Sequence, residues 1–163
     1  MIDMRKMLHV ARLAAVLAAA LAISACANKA EDAQANAAGQ ATPGSQQDFV
    51  VNVGDRVFFD TDSTELTGQA RATLDHQAEW LNHYGNYAFT IEGHADERGT
   101  REYNIALGAR RAQTVRDYLI SRGVSAQRMH TISYGKERPV AVCDDISCWS
   151  QNRRAVTVLN QSS

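Results

Sequence analysis

The chain has 163 residues, a formal net charge of −1 and 45% hydrophobic residues, which fits one folded domain with additional terminal segments. Because the charge is close to neutral and no basic stripe is visible, the composition argues against nucleic acid as a partner. Two prolines and a moderate glycine content are typical of an ordinary soluble fold, apart from an N-terminus of biased composition.

Residues 1–25 have the pattern of an export signal rather than of a folded element. Arg5, Lys6 and Arg12 form a positive segment, and the run from Leu13 to Ile23 is apolar and uncharged. This run is shorter than the about 20 residues that a membrane-spanning helix needs. It ends in Ile23-Ser24-Ala25-Cys26, which resembles the lipobox of bacterial lipoproteins.

Cys26 is therefore the predicted lipidation site. In signals of this type the cysteine becomes an acylated N-terminus, and three acyl chains meet the rule that stable anchoring needs more than one. Ala27 after the cysteine, instead of Asp, resembles an outer-membrane address. The alternative is an ordinary secretory signal that is cut after Ala25 and leaves Cys26 as a free thiol.

Residues 26–47 are predicted to be the lipidated cysteine and a flexible tether. The segment ANKAEDAQANAAGQATPGSQQ has no large apolar side chain and ends in a Pro-Gly-Ser turn signal. A coil of about 20 residues averages roughly 25 Å from end to end and reaches about 70 Å when extended. That reach allows a membrane-bound domain to touch a layer next to the membrane.

The folded domain is predicted to span residues 48–163. Its first strand is Arg56 to Phe59, within DRVFFD, and a polar turn that begins at Asp60 follows. Apolar positions spaced by three or four residues then predict an amphipathic helix that ends near Gly85. These positions are Leu66, Ala70, Leu74, Ala78 and Leu81.

The stretch FTIEGHADERGTREYNIALGARRAQTVRDYL, residues 89–119, predicts a strand, a loop and a helix in succession. Phe89 and Ile91 alternate with polar residues as in a strand with one apolar face. Glycines then bracket a run of ionisable groups, and Leu107, Val115 and Leu119 form the apolar stripe of a helix.

Arg111 lies on this apolar stripe, one turn after Leu107. Because an unpaired buried charge is costly, a cation at this position needs a partner, and Asp96 in the preceding loop is the nearest obvious carboxylate. On the residues alone, the two form an ion pair that closes the turn between strand and helix.

The motif GHADERGTREYNIALGARRAQTV resembles the signature of the OmpA-like peptidoglycan-binding domains, in particular that of the peptidoglycan-associated lipoproteins, over about residues 48–159. The resemblance implies that Asp96 and Arg111 grip meso-diaminopimelate of the peptide stem. The free end of this residue carries an ammonium and a carboxylate, and an Arg fork suits the carboxylate. It also makes Phe59, Asp60 and Leu107 groove candidates, although Phe59 and Asp60 equally suit a core aromatic and a turn.

Cys143 and Cys148 bracket a short acidic segment. In an exported chain with Cys26 lipidated, an even pair of cysteines remains, which predicts a disulfide. A metal site is the alternative, but two thiols without a paired His are a poor zinc signal. Further on, Asn152-Arg153-Arg154 matches the NRR signature of the resembled family, which makes Asn152 and Arg153 groove candidates. The alternative is that both arginines, Arg153 and Arg154, only buttress the acidic loop.

These elements predict an α+β fold, a two-layer α/β sandwich with a mixed sheet of about four strands and two long helices on one face. The expected order is β-α-β-α-β-β, as the resemblance also implies. The resemblance further implies a non-catalytic tether without cofactors, on the periplasmic face of the outer membrane. Its partners would be peptidoglycan, outer-membrane lipid through Cys26, a TolB-type periplasmic propeller and the Tol inner-membrane proteins, with a role in envelope constriction at cell division.

A cell-wall hydrolase is the alternative function. His94 and Asp96 share a strand face and Glu97 is adjacent, which hints at a metal or acid–base site. The other histidines of the domain are scattered, and no HExxH or Gly-x-Ser-x-Gly motif occurs. We therefore expect neither a catalytic residue nor a metal ligand.

Overall fold

The computed structural model describes residues 41–160, so the predicted signal, Cys26 and residues 27–40 of the predicted tether lie outside the described residues. The described part forms four strands and four helices. In chain order they are α1 Gln46–Asp48, β1 Arg56–Phe58, α2 Gly68–His83, β2 Phe89–His94, α3 Arg101–Ser121, β3 Met129–Gly135, α4 Ile146–Asn152 and β4 Arg154–Leu159. A π-helical turn, Phe49–Gly54, continues α1, and a 3₁₀ turn, Ala126–Arg128, precedes β3.

The four strands form one mixed sheet in the order β1-β4-β2-β3. Strand β4 runs antiparallel to both β1 and β2, whereas β2 and β3 are parallel. The parallel pair requires a crossover, which α3 provides. The predicted α+β class, the mixed four-stranded sheet and the order of the strands and long helices are therefore confirmed.

Both long helices cover the same face of this sheet. Ile91 of β2 lies opposite Thr157 of β4, and the Thr157 hydroxyl donates to the Gln77 side chain of α2 at 2.9 Å. Gly93, two residues after Ile91 and so on the same face, touches Gly108 of α3. The core between the layers is made of apolar side chains that are fully or almost fully buried, among them Leu74, Leu81, Phe89, Ile91, Val115 and Leu119.

The ends of α3 follow from local sequence. The Thr100 side chain caps the first turn by accepting from the Tyr103 backbone N–H at 3.2 Å. At the other end Gly123 adopts φ +89°, and the Val124 N–H donates back to the Leu119 carbonyl at 3.1 Å. These two ends give a 21-residue helix that carries Arg111 near its middle.

The segment just before α1 packs against the folded unit, which includes the chain from Thr42 onward. The Tyr87 hydroxyl donates to the Gly44 carbonyl at 2.8 Å, and Asp48 accepts from the Trp80 indole N–H at 2.9 Å. These side chains come from the end of α2 and the segment before β2, so the contact has no signal in the entering segment itself.

Candidate functional site

The loop between β2 and α3 carries Asp96 and is fixed on several sides. The Ala95 N–H donates to the Gly135 carbonyl at 2.8 Å and extends the pairing with β3. The Asn104 amide of α3 donates to the Arg98 carbonyl at 2.8 Å, and the Lys136 ammonium donates to the Gly99 carbonyl at 2.7 Å. Gly99 has φ +88°, the left-handed conformation that turns the chain into α3. The loop is therefore held by both neighbouring elements.

Arg111 projects from α3 into this region and is completely buried. Its guanidinium donates to three backbone carbonyls, those of Ser63 at 2.9 Å, His94 at 2.9 Å and Asp60 at 3.1 Å. A guanidinium has five N–H groups, so two remain without an acceptor in the described residues. Burial is the main cause that lowers the pKa of Arg111, to about 10, which still leaves the group cationic at neutral pH.

The partners of Asp96 differ from the expected pairing with Arg111. Its Oδ2 atom lies 2.7 Å from Arg98 Nη2 and 3.3 Å from Arg153 Nη1. Its Oδ1 atom accepts from the backbone N–H and the Nε–H of Arg98, both at 3.2 Å. Burial raises the pKa of Asp96, but hydrogen bonds from Arg98 outweigh it and hold that pKa below its ordinary value. Asp96 is thus an anion paired with two other arginines.

A pocket of about 310 Å³ brings Asp96, Leu107 and Arg111 together. It presents two carboxylates and two guanidinium groups around one space, which suits a ligand that carries both charges. The Tyr103 hydroxyl donates to Asp62 at its rim. The full lining is Thr61, Asp62, Asp96, Arg98, Gly99, Tyr103, Asn104, Leu107 and Arg111.

This pocket is not lined by Phe59, Asp60 or Arg153, although all three contact charged residues that line it. The Phe59 ring lies 5.1 Å from the Arg111 guanidinium carbon, and Asp60 contributes its carbonyl to the same group. Arg153 donates to the Phe59 carbonyl at 3.0 Å as well as to Asp96. The three also border a separate groove of about 370 Å³ next to Gln69 and Ser150. Through these contacts they help to hold the Arg111 guanidinium and the Asp96 carboxylate in position.

Asn152 is not at the pocket. Its side-chain oxygen accepts from the N–H groups of Val140 at 2.9 Å and Ala141 at 3.2 Å, and its amide donates to the Ala141 carbonyl at 2.8 Å. Asn152 thereby fixes the segment before the disulfide. It also borders a larger groove of about 410 Å³ next to Glu97, Lys136 and Val142. No guanidinium lines that groove, so its cation is the Lys136 ammonium and it offers no arginine fork to a carboxylate.

The pocket is also lined by three residues that the sequence patterns do not single out, Asp62, Arg98 and Tyr103. Arg98 carried a signal, because a cation two residues after a loop carboxylate can fold back onto it. Tyr103 lies in the first turn of α3, within reach of the loop. Asp62 had no sequence signal. It adopts φ +55°, the left-handed region that is uncommon for a residue other than glycine.

The predicted disulfide between Cys143 and Cys148 is confirmed, with a Cα–Cα distance of 5.7 Å. Cys148 belongs to α4, and the next residue, Trp149, contacts the loop between β2 and α3. The Arg98 guanidinium carbon lies 4.2 Å from the centre of the Trp149 ring, and the Trp149 indole N–H donates to Glu97. The disulfide-braced helix therefore contacts two residues of the loop.

His94 and Glu97 do not assemble into a catalytic site with Asp96. The His94 side chain is 2% exposed, and both ring nitrogens lack a hydrogen-bond partner among the described residues. Burial, aided by the nearby charge of Arg154, lowers its pKa to about 4, so it is neutral at pH 7. Across residues 41–160 no three His, Cys, Asp or Glu side chains are placed to share a metal ion. The arrangement offers no accessible base or metal ligand at His94.

Comparison with known proteins gives consistent matches. Residues 58–154 match the model of the OmpA family. The chain is 72% identical to the peptidoglycan-associated lipoprotein of Rhizobium meliloti, with 85% of this chain and 82% of the relative covered. It is 66% identical to the protein of the same name from Agrobacterium fabrum, with coverage of 94% and 91%.

A solved structure agrees with these relatives. The crystal structure of the peptidoglycan-associated lipoprotein from Burkholderia pseudomallei superposes with a TM-score of 0.67 at 39% identity. The superposition covers 71% of the present chain and 100% of the Burkholderia chain. Separately, none of the helices between residues 41 and 160 has the length and apolar character to cross a membrane.

Proposed function

Because this chain belongs to the OmpA family and, within it, to the peptidoglycan-associated lipoproteins, we propose that it is a lipid-anchored protein that binds peptidoglycan non-covalently. It tethers the outer membrane to the cell wall from the periplasmic side and performs no catalysis. The observation that carries this function is the pocket that the Arg111 side chain and the Asp96 carboxylate both line.

The ligand is meso-diaminopimelate of the peptide stem. Its free end carries one carboxylate and one ammonium on the same carbon, so a receptor needs a cation and an anion close together. Arg111 has two N–H groups left for the carboxylate, and Asp96 is ionised and can receive the ammonium. Leu107, buried on the same wall, packs against the aliphatic part of the ligand.

The membrane end of the tether is Cys26, followed by residues 27–47. In this proposal the acylated Cys26 inserts in the outer membrane, and the polar tether spans the gap to the wall. Metabolic labelling with a fatty acid should mark the wild-type protein and not Cys26→Ala. A Cys26→Ala protein that still fractionates with membranes after a carbonate wash would contradict the anchor.

The protein partners in this proposal belong to the Tol system. A TolB-type periplasmic propeller and the Tol inner-membrane proteins would bind the folded domain and couple the anchored wall to constriction at cell division. The similarity to the peptidoglycan-associated lipoproteins supports this assignment. A pull-down with the purified propeller protein tests it directly, and no retention above that of an unrelated periplasmic protein would contradict it.

The test of the ligand is a comparison of two wall types. Sacculi with diaminopimelate stems should sediment the wild-type domain, whereas sacculi with lysine stems should leave it in solution. Lysine lacks the second carboxylate, so Arg111 would be left buried with unsatisfied donors. Equal sedimentation with both wall types would contradict recognition of diaminopimelate. The release of soluble fragments from sacculi would contradict a purely binding function.

A further inference from the structure

The Asp96 carboxylate has no free acceptor position in this structure. A carboxylate offers about four lone-pair sites, two on each oxygen. Oδ1 accepts from the backbone N–H and Nε–H of Arg98, and Oδ2 accepts from Arg98 Nη2 and Arg153 Nη1. An ammonium can therefore bind Asp96 only if one of these donors leaves.

Exposure shows which donor leaves most easily. The Arg153 side chain is 7% exposed and is also held by the Phe59 carbonyl, and the backbone N–H of Arg98 is fixed by the loop. The Arg98 side chain is 41% exposed, so water can solvate its guanidinium once it leaves Asp96. It also stacks on the Trp149 ring, which keeps it near the pocket when the contact with Asp96 is broken.

The Arg111 side and the Asp96 side of the pocket thus differ in whether a ligand must displace a protein group to bind. Arg111 lines the pocket and has two N–H groups without an acceptor in the described residues, so a carboxylate that reaches it need not replace one of its three carbonyl partners. Asp96, in contrast, is closed by Arg98. A ligand that carries only a carboxylate binds Arg111 and leaves Arg98 in place, and a ligand that carries only an ammonium has no contact with Arg111.

We propose that Arg98 is a latch that competes with the ammonium of the ligand for Asp96, so that a ligand whose only charge is an ammonium must open the latch without a contact to Arg111 in return. The inference rests on the proposed function, because it assigns a role to Arg98 within the same binding site. If Arg98 competes with the ligand in this way, removal of the Arg98 charge strengthens the binding of the natural ligand.

The experiment compares Arg98→Gln with the wild type by calorimetric titration of the domain with a diaminopimelate stem peptide. Because a half-exposed ion pair contributes up to about 1 kcal/mol, the variant should bind about two- to fivefold more tightly. Arg101→Gln is the matched control: it removes the same charge from a neighbouring residue that pairs with Glu137 and does not line the pocket. Its affinity should equal that of the wild type.

A second ligand tests whether the effect of Arg98 depends on the ammonium of the ligand. A stem peptide with 2-aminopimelate keeps the distal carboxylate but lacks the distal amine. Arg98→Gln and the wild type should bind this peptide with equal affinity, because nothing competes with Arg98. A second neutral variant, Arg98→Met, should behave in the same way with both peptides.

Three results would overturn the latch. Weaker binding of the diaminopimelate peptide by both Arg98 variants would make Arg98 a receptor for the ligand. An equal gain with both peptides would show that the gain does not depend on the ammonium. A wild-type domain that fails to bind the diaminopimelate peptide would reject the proposed function and the latch together, whereas the first two results reject the latch alone.

Discussion

Gly93 of β2 and Gly108 of α3 meet backbone to backbone. A Cβ atom on Gly93 would overlap the Gly108 carbonyl, and a Cβ atom on Gly108 would lie 2.8 Å from the Gly93 carbonyl oxygen and against the Ser133 hydroxyl. This contact sets the distance between α3 and the sheet. It therefore also sets how deeply Arg111, three residues further along α3, enters the site.

Gly108→Ala should destabilise the domain although alanine favours helices. An exposed helical Gly→Ala change gains up to about 1 kcal/mol. Here overlap with the strand should reverse the sign and lower the free energy of unfolding by about 1–3 kcal/mol. Urea denaturation measures the change. Gly68→Ala is the control, because Gly68 begins α2 with no atom within 4 Å of its Cβ position, and it should not destabilise. A neutral Gly108→Ala would show that the layers can separate freely.

Asp96→Asn should abolish most of the wall binding while the domain stays folded. The change keeps the shape of the side chain but removes the charge that receives the ligand ammonium. Loss of one member of a desolvated charge pair weakens binding by about 2–5 kcal/mol. Calorimetric titration with a diaminopimelate muropeptide measures this loss. Asp117→Asn, on an exposed part of α3, is the matched control and should bind normally. Affinity near that of the wild type in a folded Asp96→Asn domain would exclude Asp96 from the site.

His94 should make the domain less stable in acid. Its pKa is about 4 in the folded state and about 6.5 when unfolded, because burial and the charges of Arg154, Arg138 and Arg56 disfavour its protonation. Between these values the unfolded chain binds more protons, so the free energy of unfolding rises with pH. The contribution of His94 is complete above about pH 6.5 and is lost as the pH falls toward 4.

The size of this effect is at most about 3.5 kcal/mol, since the two pKa values differ by about 2.5 and one pKa unit corresponds to about 1.4 kcal/mol. Urea midpoints at several pH values between 4 and 7 measure it. His94→Phe keeps a ring against Tyr134 and removes the titrating group, so this part of the pH dependence should disappear. An unchanged slope in His94→Phe would assign the acid sensitivity to other groups.

Loss of the disulfide should weaken the domain modestly. The Cys143–Cys148 bond closes a short loop, for which chain entropy predicts a contribution of about 2 kcal/mol. The double variant Cys143→Ser/Cys148→Ser should unfold at a lower urea concentration than the oxidised wild type. Reduced wild-type protein is the control and should show the same shift. An identical midpoint in oxidised and reduced protein would mean that α4 is held by its other contacts, such as those of Asn152.

The secondary structure could be predicted from the sequence because its causes are local. Thr100 caps α3 by accepting from an N–H group only three residues later in the chain. Gly123 ends the helix through its own backbone conformation. The apolar spacing of α2 identifies its buried face without reference to the rest of the chain. The same holds for the cysteine pair, because its two members lie five residues apart.

The partner of Arg111 could not be predicted, because it is made of backbone carbonyls. Every residue has such a group, so no side-chain pattern marks those of Ser63, His94 and Asp60 as acceptors. The sequence instead suggested the nearest carboxylate. Asp96 is paired with Arg98 and Arg153, and only the fold brings Arg153 to it. Local pattern thus located Asp96 and Arg111 but not their partners, and it did not mark Asp62 or Arg98 as pocket residues.

The two ends of β2 carry different attachments. The tether enters beside Tyr87, just before the strand begins, and the pocket loop starts at Ala95, just after it ends. In the proposed function, tension between membrane and wall therefore pulls along the axis of β2, over about 20 Å. The tether continues covalently into α1 and is held beside the start of β2 by the Tyr87 hydroxyl, so the load passes through the packed body of the domain between its two ends. Such an arrangement lets a small domain resist mechanical force as the envelope is stretched.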